Sequence, residues 1–580
     1  MLIETLKTIG SIPFPVSAVN VLVGPNGCGK TQTLLDIARL LTRQDPSDPK
    51  DISAGDESDS LPPTVVLEDG QFVSPLTEQR LLLGLHVEKS DGGEPLVQGL
   101  AATLDRAEQC VIRRDTWSVI QRPVLSVSAV AKTELGALLA MRAAYLPAVG
   151  RRSLVAPVSA IGPLDPPRSL LQRLQWQSEG VEAALNDLVE KVFSCRVVLD
   201  LSQYTDVSLR VLPLDTEVPH FDSIRDQATW LRDFPTLDRY QDGVANVVAI
   251  GLTVLMSTGS VVLIDLPELG LNPDACRHLG RWLNETATRR EVQLFMATHS
   301  GALIEGLQES LDSVSVIRLC RVDETVVARP IPPAALSGLS RSPYLLSQHS
   351  VSAIFADAIV VTDNEIERSA YGTAFLDTTD WANSVLFLQT FGLVGLESVM
   401  ETVSASGIPV VVVSNLELIG MRNRFHRLLE LTTQGALPSG LLSSRDKIAA
   451  CLEEQTTAES LASNTSEVEA FLDELGKDGH EVKTLTSPDD RAKRWRRLRE
   501  KGLAGLDVDV RRAIDELCDE LKNVGIFIAP VGCVRNWFDV ENKSKWFEQA
   551  MSQIQQEGTP SPLRAFVKEV LFHLRSTMKS

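Results

Sequence analysis

Gly24-Pro25-Asn26-Gly27-Cys28-Gly29-Lys30-Thr31 has the spacing G-x-x-x-x-G-K-[ST]. An apolar run over residues 18–23 (AVNVLV) precedes it, and a helix-like pattern runs from Gly29 to about Leu41. The order is strand, loop, helix. Glycines let backbone N–H groups turn inward around an anion, and the start of a helix adds its positive dipole end. In such a loop Lys30 brings a positive charge to the β- and γ-phosphates, and Thr31 offers its hydroxyl to Mg²⁺. Asn26, Gly27, Cys28, Gly29, Lys30 and Thr31 are therefore the candidate nucleotide-binding residues, with ATP and Mg²⁺ as the expected cofactors.

A metal-bound triphosphate calls for a partner carboxylate. Val261-Val-Leu-Ile-Asp265 is a short apolar run ending in an acid, which suits that role. Phe295-Met-Ala-Thr-His299-Ser300 is a second apolar run ending in polar residues, where a γ-phosphate sensor is expected. Asp265, Glu268 and His299 are the candidate catalytic residues, and Thr31 and Asp265 the candidate Mg²⁺ ligands. Short, wholly apolar strands of this kind belong inside parallel sheets.

Composition sets the frame. The chain has 580 residues, 56 Lys plus Arg against 76 Asp plus Glu, and a formal net charge of −20. That balance argues against a surface coated overall with nucleic acid or anionic lipid, and leaves room for a local basic groove. The eight cysteines show no Cys-x-x-Cys pair, which argues against a zinc ribbon and for reduced thiols in the cytoplasm. The N-terminus lacks the pattern of a signal peptide. The most apolar window, 247–266, is broken by Gly251, Ser257, Thr258, Gly259 and Ser260, so it reads as buried helix, turn and strand rather than a membrane span.

Between these motifs, residues 45–63 (DPSDPKDISAGDESDSLPP) predict an acidic loop with almost nothing to bury. Helical patterns are expected over Thr133 to Tyr145 and Ser169 to Val192, two strands over 196–213, and an apolar helix over 243–257. After a proline-marked break at 330–343 the alternation restarts. Strands are predicted at 358–362, 385–388 and 409–414, and helices at 366–374 and 396–404. This predicts a second α/β unit. A charged, mainly helical stretch over 441–525, a strand at 526–530 and helices at 543–556 and 561–576 complete the chain. There is no repeat and no sustained heptad.

The loop at Gly24, the stretch Leu263-Ile-Asp-Leu-Pro-Glu-Leu-Gly-Leu-Asn-Pro273 and the stretch Ala297-Thr-His-Ser300 together resemble ABC-type ATPase heads. They are most similar to the OLD (overcoming lysogenization defect) branch, which has relatives in anti-phage systems such as Gabija. The stretch at Leu263 resembles that branch's IDEPELGLHP, and Ala297–Ser300 its TTHS switch. Gln241-Asp-Gly243 stands where the signature SDG or SGG would be. The resemblance covers residues 1–44 and about 225–320, and implies an α/β, ABC-type P-loop ATPase head over 1–335. A mainly helical insertion at about 45–225 would serve dimerisation. Where the family carries an acid directly after the Walker B aspartate this chain has Leu266. Gln241 replaces the signature serine, and Asn246 a basic residue. Slow hydrolysis or an ATP-locked clamp is expected, with Glu268 as the stand-in acid.

The same resemblance implies a Toprim-like α/β domain over 345–440, completed by the helical region 441–525 and by 526–580. Val360-Val-Thr-Asp363-Asn-Glu-Ile-Glu367-Arg368 is similar to the first Toprim strand, and Val410 to Asn415-Leu-Glu417 to a later one. The family's acids are eroded here. Asp363 replaces a glutamate, and Asn415 and Glu417 replace paired aspartates. Asp363 and Glu417 remain candidate ligands for a weak metal site, and a degenerate nuclease is the expectation. Arg491-Ala-Lys-Arg494-Trp495-Arg496-Arg497-Leu-Arg-Glu-Lys501 holds seven positive charges, and Arg494, Trp495, Arg496 and Arg497 are candidates for contacting DNA or RNA. A solvated helix paired with neighbouring acids is the alternative. The expected function is ATP binding in anti-phage defence. Assembly would run through the heads as a homo-oligomer, and a separate effector protein is a further expected partner. The rivals are an active Mg²⁺-dependent Toprim endonuclease regulated by ATP and a RecF- or SMC-like repair ATPase.

Overall fold

The computed structural model describes residues 3, 5–8, 11–42, 65–66, 86–89, 95–100, 107–111, 142–162, 165, 167–176, 178–308, 314–322, 325–341, 350–379, 384–390, 393–433, 435, 437–438, 440–452, 498, 502–503, 506–539 and 545–579. The chain divides into two units, Met1–Pro333 and Ala334–Ser580.

The first unit is built on six strands: β1 (Val19–Val23), β2 (Ala143–Leu146), β3 (Val261–Asp265), β4 (Gln293–Ala297), β5 (Val314–Val322) and β6 (Thr325–Ile331). Their order across the sheet is β6-β5-β1-β4-β3-β2. All neighbours are parallel except the β5–β6 hairpin. Every residue of β1, β3 and β4 is buried. These strands lie inside the sheet with both faces covered, so their sequences are continuously apolar rather than alternating. Asn20 is the polar exception within β1, and its amide is satisfied by the carbonyls of Ser17 and Leu294.

Helix α1 (Lys30–Thr42) follows β1 and packs Leu34, Ile37, Ala38 and Leu41 into a core shared with Leu22, Leu263 and Phe295. Those positions recur every three to four residues, one stripe of a 3.6-residue helix. Helix α2 (Ser178–Phe193) packs against α3 (Asp242–Met256) and against α4 (Pro273–Arg290). Helix α3 is buried from Gly243 to Met256, which is why it reads as an apolar run with little amphipathic pattern. Helix α4 starts at a cap, Asn272 Oδ1 accepting from the Ala275 amide at 2.8 Å. It lies close against α5 (Gly301–Leu307). A Cβ on Gly280 would stand 2.4 Å from the Leu303 carbonyl, and one on Gly306 2.2 Å from that of Arg277.

Two expectations need correcting. Thr133 to Tyr145 was expected to be helical, yet Ala143–Leu146 is the edge strand β2, in parallel register with Val261–Ile264. Pairing with a buried strand outweighs the local helix preference of an alanine-rich stretch; residues 133–141 lie outside the described residues. The stretch between α1 and residue 225 is also not helical throughout. It contains a three-stranded antiparallel sheet, 86–89 with 95–100 and 107–111. It also contains the hairpin Cys195–Asp200 with Asp206–Pro213, where two strands were expected. The acidic stretch 45–63 lies outside the described residues.

The second unit has four parallel strands, β7 (Ala358–Thr362), β8 (Val385–Gln389), β9 (Val410–Ser414) and β10 (Ile526–Ile528), in the order β8-β7-β9-β10. Helices α6 (Glu365–Thr378), α7 (Leu393–Ala405), α8 (Val508–Lys522) and α9 (Ser561–Lys579) accompany them. Tyr371, Phe375, Phe527, Trp537 and Phe566 share one core cluster. Among the described residues no helix is long and apolar enough to cross a membrane.

Candidate functional site

In an open parallel sheet the carboxyl ends of the strands form the binding edge. Here β1 ends in the loop Gly24–Thr31, β3 in Asp265, and β4 in Thr298 and His299, and the three strands are immediate neighbours in the sheet. Residues separated by more than 230 positions in sequence therefore meet at one edge.

The loop is shaped by glycines at three positive-φ positions, Gly24 (135°), Gly27 (75°) and Gly29 (96°). At Gly24 no other residue fits, because a Cβ would stand 2.2 Å from the Leu319 carbonyl of β5. Nothing lies within 4 Å of the corresponding point at Gly27, so the rim of the loop is open. Lys30 is buried, and its Nζ donates to the carbonyls of Gly24 (2.9 Å) and Pro25 (2.8 Å) across the mouth of the loop. Burial lowers its pKa from the usual lysine value, while nearby Cys28, Asp265 and Glu268 oppose that shift. Cys28 Sγ lies 3.7 Å from the ammonium, and burial pushes its thiol up, so it is held as a neutral packing group.

Thr31 Oγ1 donates to both Asp265 oxygens, each at 3.1 Å. This joins the first residue after the loop lysine to the end of β3. Burial raises the Asp265 carboxyl, against the Thr31 hydroxyl and the cations Arg151 and Lys30. Hydroxyl and carboxylate converge on one point, and an ammonium waits in a glycine-lined loop at the head of a 13-residue helix. These residues fit ATP with Mg²⁺: Lys30 and the loop would hold the phosphates, and Thr31 and Asp265 the metal.

The residue after Asp265 is Leu266, with φ of 51°. This left-handed turn carries the chain through Pro267 so that Glu268 folds back to the site. Glu268 Oε1 accepts the His299 amide at 2.7 Å, and its carboxylate lies beside the Thr298 hydroxyl. Burial raises its pKa. Glu268 thus stands between the ends of β3 and β4, although it is two places beyond the position an acid was expected to fill. His299 itself is exposed, and partial desolvation of its ring, with the Lys30 charge nearby, lowers its pKa.

Arg151 is a residue that sequence reasoning missed. It lies in a short 3₁₀ turn (Arg151–Val155) after β2, introduced by Gly150 at φ 92°. Its guanidinium is buried beneath the loop after β3. Only its place shortly after an apolar strand signals it, and that strand was read as helix.

In the second unit the ends of β7 and β9 bring Asp363 and Asn415 together. Asp363 is buried and accepts from Ser414 Oγ (3.1 and 3.0 Å), the Asn415 amide (3.3 Å) and Asn415 Nδ2 (2.7 Å). Asn364 caps α6 by accepting the Glu367 amide at 3.0 Å. Glu417 donates its backbone N–H to Asn415 Oδ1 at 2.9 Å. Among the described residues no three acids, histidines or cysteines are grouped as a metal site. Arg494, Trp495, Arg496 and Arg497 lie outside the described residues.

A family model for an AAA domain described as "putative AbiEii toxin, Type IV TA system" matches residues 245–305. That segment runs from α3 through Asp265 and His299 into α5. No curated protein matches the chain. Among solved structures the chain is similar to an SMC head bound to the C-winged helix domain of ScpA, at 12% identity over 57% of this chain and 97% of that one, TM-score 0.34. A Pyrococcus furiosus SMC head with an extended coiled coil, bound to the C-terminal domain of ScpA, is 11% identical over 57% and 96%, TM-score 0.31. The SMC head domain from Thermotoga maritima is 15% identical over 57% and 100%, TM-score 0.26.

Proposed function

We propose that this protein is an OLD-like P-loop ATPase of anti-phage defence that binds ATP with Mg²⁺ at Gly24–Thr31 and Asp265 and turns it over slowly. The observation that carries the reading is the convergence of Lys30, Thr31, Asp265 and Glu268 at the ends of three adjacent parallel strands. Bound Mg²⁺-ATP would supply a γ-phosphoryl group whose charge the loop and metal neutralise. The chain's own contributions are specific. Lys30 exchanges its two loop carbonyls for phosphate oxygens, Thr31 and Asp265 fix the metal, and Glu268 can hold a proton from an attacking water. The Glu268 carboxylate is already committed to the His299 amide, and the residue directly after Asp265 is an apolar leucine, so slow turnover is expected.

For the second unit, the parallel sheet with Asp363 and Asn415 at its carboxyl edge supports a Toprim-like domain that does not cleave. Mg²⁺ does not fit there. The Asp363 oxygens accept from neutral donors, Asn415 contributes an amide in place of a charge, and among the described residues no group of three acids, histidines or cysteines forms there. Assembly through the heads, a trigger from the invader and a separate effector complete the proposal.

The test measures ATP turnover and plasmid cleavage together on the purified full chain, with and without Mg²⁺. Slow, Mg²⁺-dependent ATP hydrolysis without nicking is expected. Nicking that survives Lys30→Ala and is lost in Asp363→Ala would replace this reading with an endonuclease.

A further inference from the structure

The carbonyl groups that follow Asp265 have an unusual set of partners. Arg151 donates to the Asp265 carbonyl, and to that of Leu266 at 3.1 Å. Asn246, from the second turn of α3, donates to the carbonyls of Pro267 (2.9 Å) and Leu269 (3.0 Å). The two side chains are joined, Arg151 Nη1 donating to Asn246 Oδ1 at 2.5 Å. The Glu268 carbonyl accepts the Leu271 amide at 3.1 Å. Five successive carbonyls are satisfied, four of them by this one pair of side chains.

From this geometry we infer that Arg151 and Asn246 are positioning residues: they hold the 265–269 loop in the one conformation that carries the Glu268 carboxylate to the His299 amide. Three physical points support it. Leu266 is a branched residue in the left-handed region, and such strain persists only where its surroundings over-determine it. Arg151 is 3% exposed and is bonded to carbonyl and amide oxygens, so its buried charge depends on these hydrogen bonds together with the nearby Asp265 and Glu268 charges. Burial draws the guanidinium down only to about 10, so it stays charged at neutral pH. The planar fork also explains why an arginine stands here, since it addresses two adjacent carbonyls and an amide at once.

The pair also ties the loop to the Gln241–Gly243 tip of α3. Arg152, the next residue, donates to Asp242 Oδ1 (2.5 Å) and to the Tyr240 carbonyl (2.7 Å). Gly243 packs so tightly on Gly270 that a Cβ there would stand 2.4 Å from the Gly270 carbonyl. Contacts therefore run without a break from the exposed Gln241–Asp242 tip to the 265–269 loop.

The catalytic consequence rests on the proposed ATPase reading, but the structural claim does not, and the experiment separates them. Arg151→Ala, Arg151→Lys and Asn246→Ala are made in the full chain. The readouts are kcat and KM for ATP, hydrogen exchange of the Leu269 and Leu271 amides without nucleotide, and thermal unfolding. In Arg151→Ala and Asn246→Ala, kcat is expected to fall about 100-fold with KM changed less than about threefold. The two amides should exchange at least about tenfold faster while unfolding stays cooperative. Arg151→Lys should recover part of kcat. Should Arg151→Ala not fold, Asn246→Ala carries the test alone. Unchanged exchange and unchanged kcat in Asn246→Ala would overturn the inference. Faster exchange in a protein whose wild type shows no turnover would uphold the bracket and sink the ATPase reading instead.

Discussion

Lys30, Asp265 and Glu268 each sit where burial and a neighbour set their state. Lys30 is held by two carbonyls that must be exchanged for phosphate, so its removal costs the charge itself. Lys30→Ala is expected to weaken ATP binding by about 100-fold, the equivalent of one or two charge-assisted hydrogen bonds, read by calorimetry. Glu268→Gln keeps the shape and the contact to the His299 amide but cannot take a proton. Turnover should fall by on the order of 10²-fold or more while ATP still binds. The same substitution has a stability signature. Burial raises the Glu268 pKa above the ordinary 4.5. The folded state therefore binds that proton more tightly than the unfolded chain, and ionising the group costs stability. That cost is present above the folded pKa and absent below about 4.5. Glu268→Gln should accordingly melt higher than wild type at pH 7 to 8, with the difference closing as the pH falls toward 4.5. An advantage that grows on acidification would contradict the assignment.

At the scale of elements, the phosphate loop, β3 and β4 were legible because their signals are local: glycine spacing, an apolar run and a terminal polar residue. The apolar helix α3 and the four strands of the second unit were legible for the same reason. What escaped was non-local. Strand β2 looks helical until Val261–Ile264 pairs with it, and Arg151 acquires meaning only from carbonyls more than 100 residues away. In the sequence Leu266 is a departure and Glu268 a stand-in acid, and the turn that brings Glu268 back is invisible there, because a left-handed turn at a leucine has no sequence signature. The close approach of α3 to the loop gives a direct test. Gly243→Ala places a methyl group against the Gly270 carbonyl and should cost about 1–3 kcal/mol in urea unfolding. Asn272→Ala, which removes the cap of α4, should cost about 1 kcal/mol.

Across the whole chain the two units divide the work unequally. Met1–Pro333 brings Lys30, Thr31, Asp265 and Glu268 to one edge of a parallel sheet, whereas Ala334–Ser580 carries a parallel sheet whose edge acid is bonded to neutral donors. Asp363 and Asn415 were legible as residues at the ends of two apolar runs, but the hydrogen bond from Asn415 that takes up Asp363 needed the fold. If the heads associate on nucleotide, Glu268→Gln should trap that state, and Mg²⁺-ATP should raise its sedimenting mass above that of the nucleotide-free protein. The central claim is that the glycine loop near the N-terminus grips a triphosphate through Lys30, with Thr31 and Asp265 holding Mg²⁺. Titrating the full chain with a non-hydrolysable ATP analogue and Mg²⁺ by calorimetry tests it most directly. Saturable binding that weakens about 100-fold in Lys30→Ala is the predicted result; no heat in the wild type, or equal binding in the variant, would contradict it.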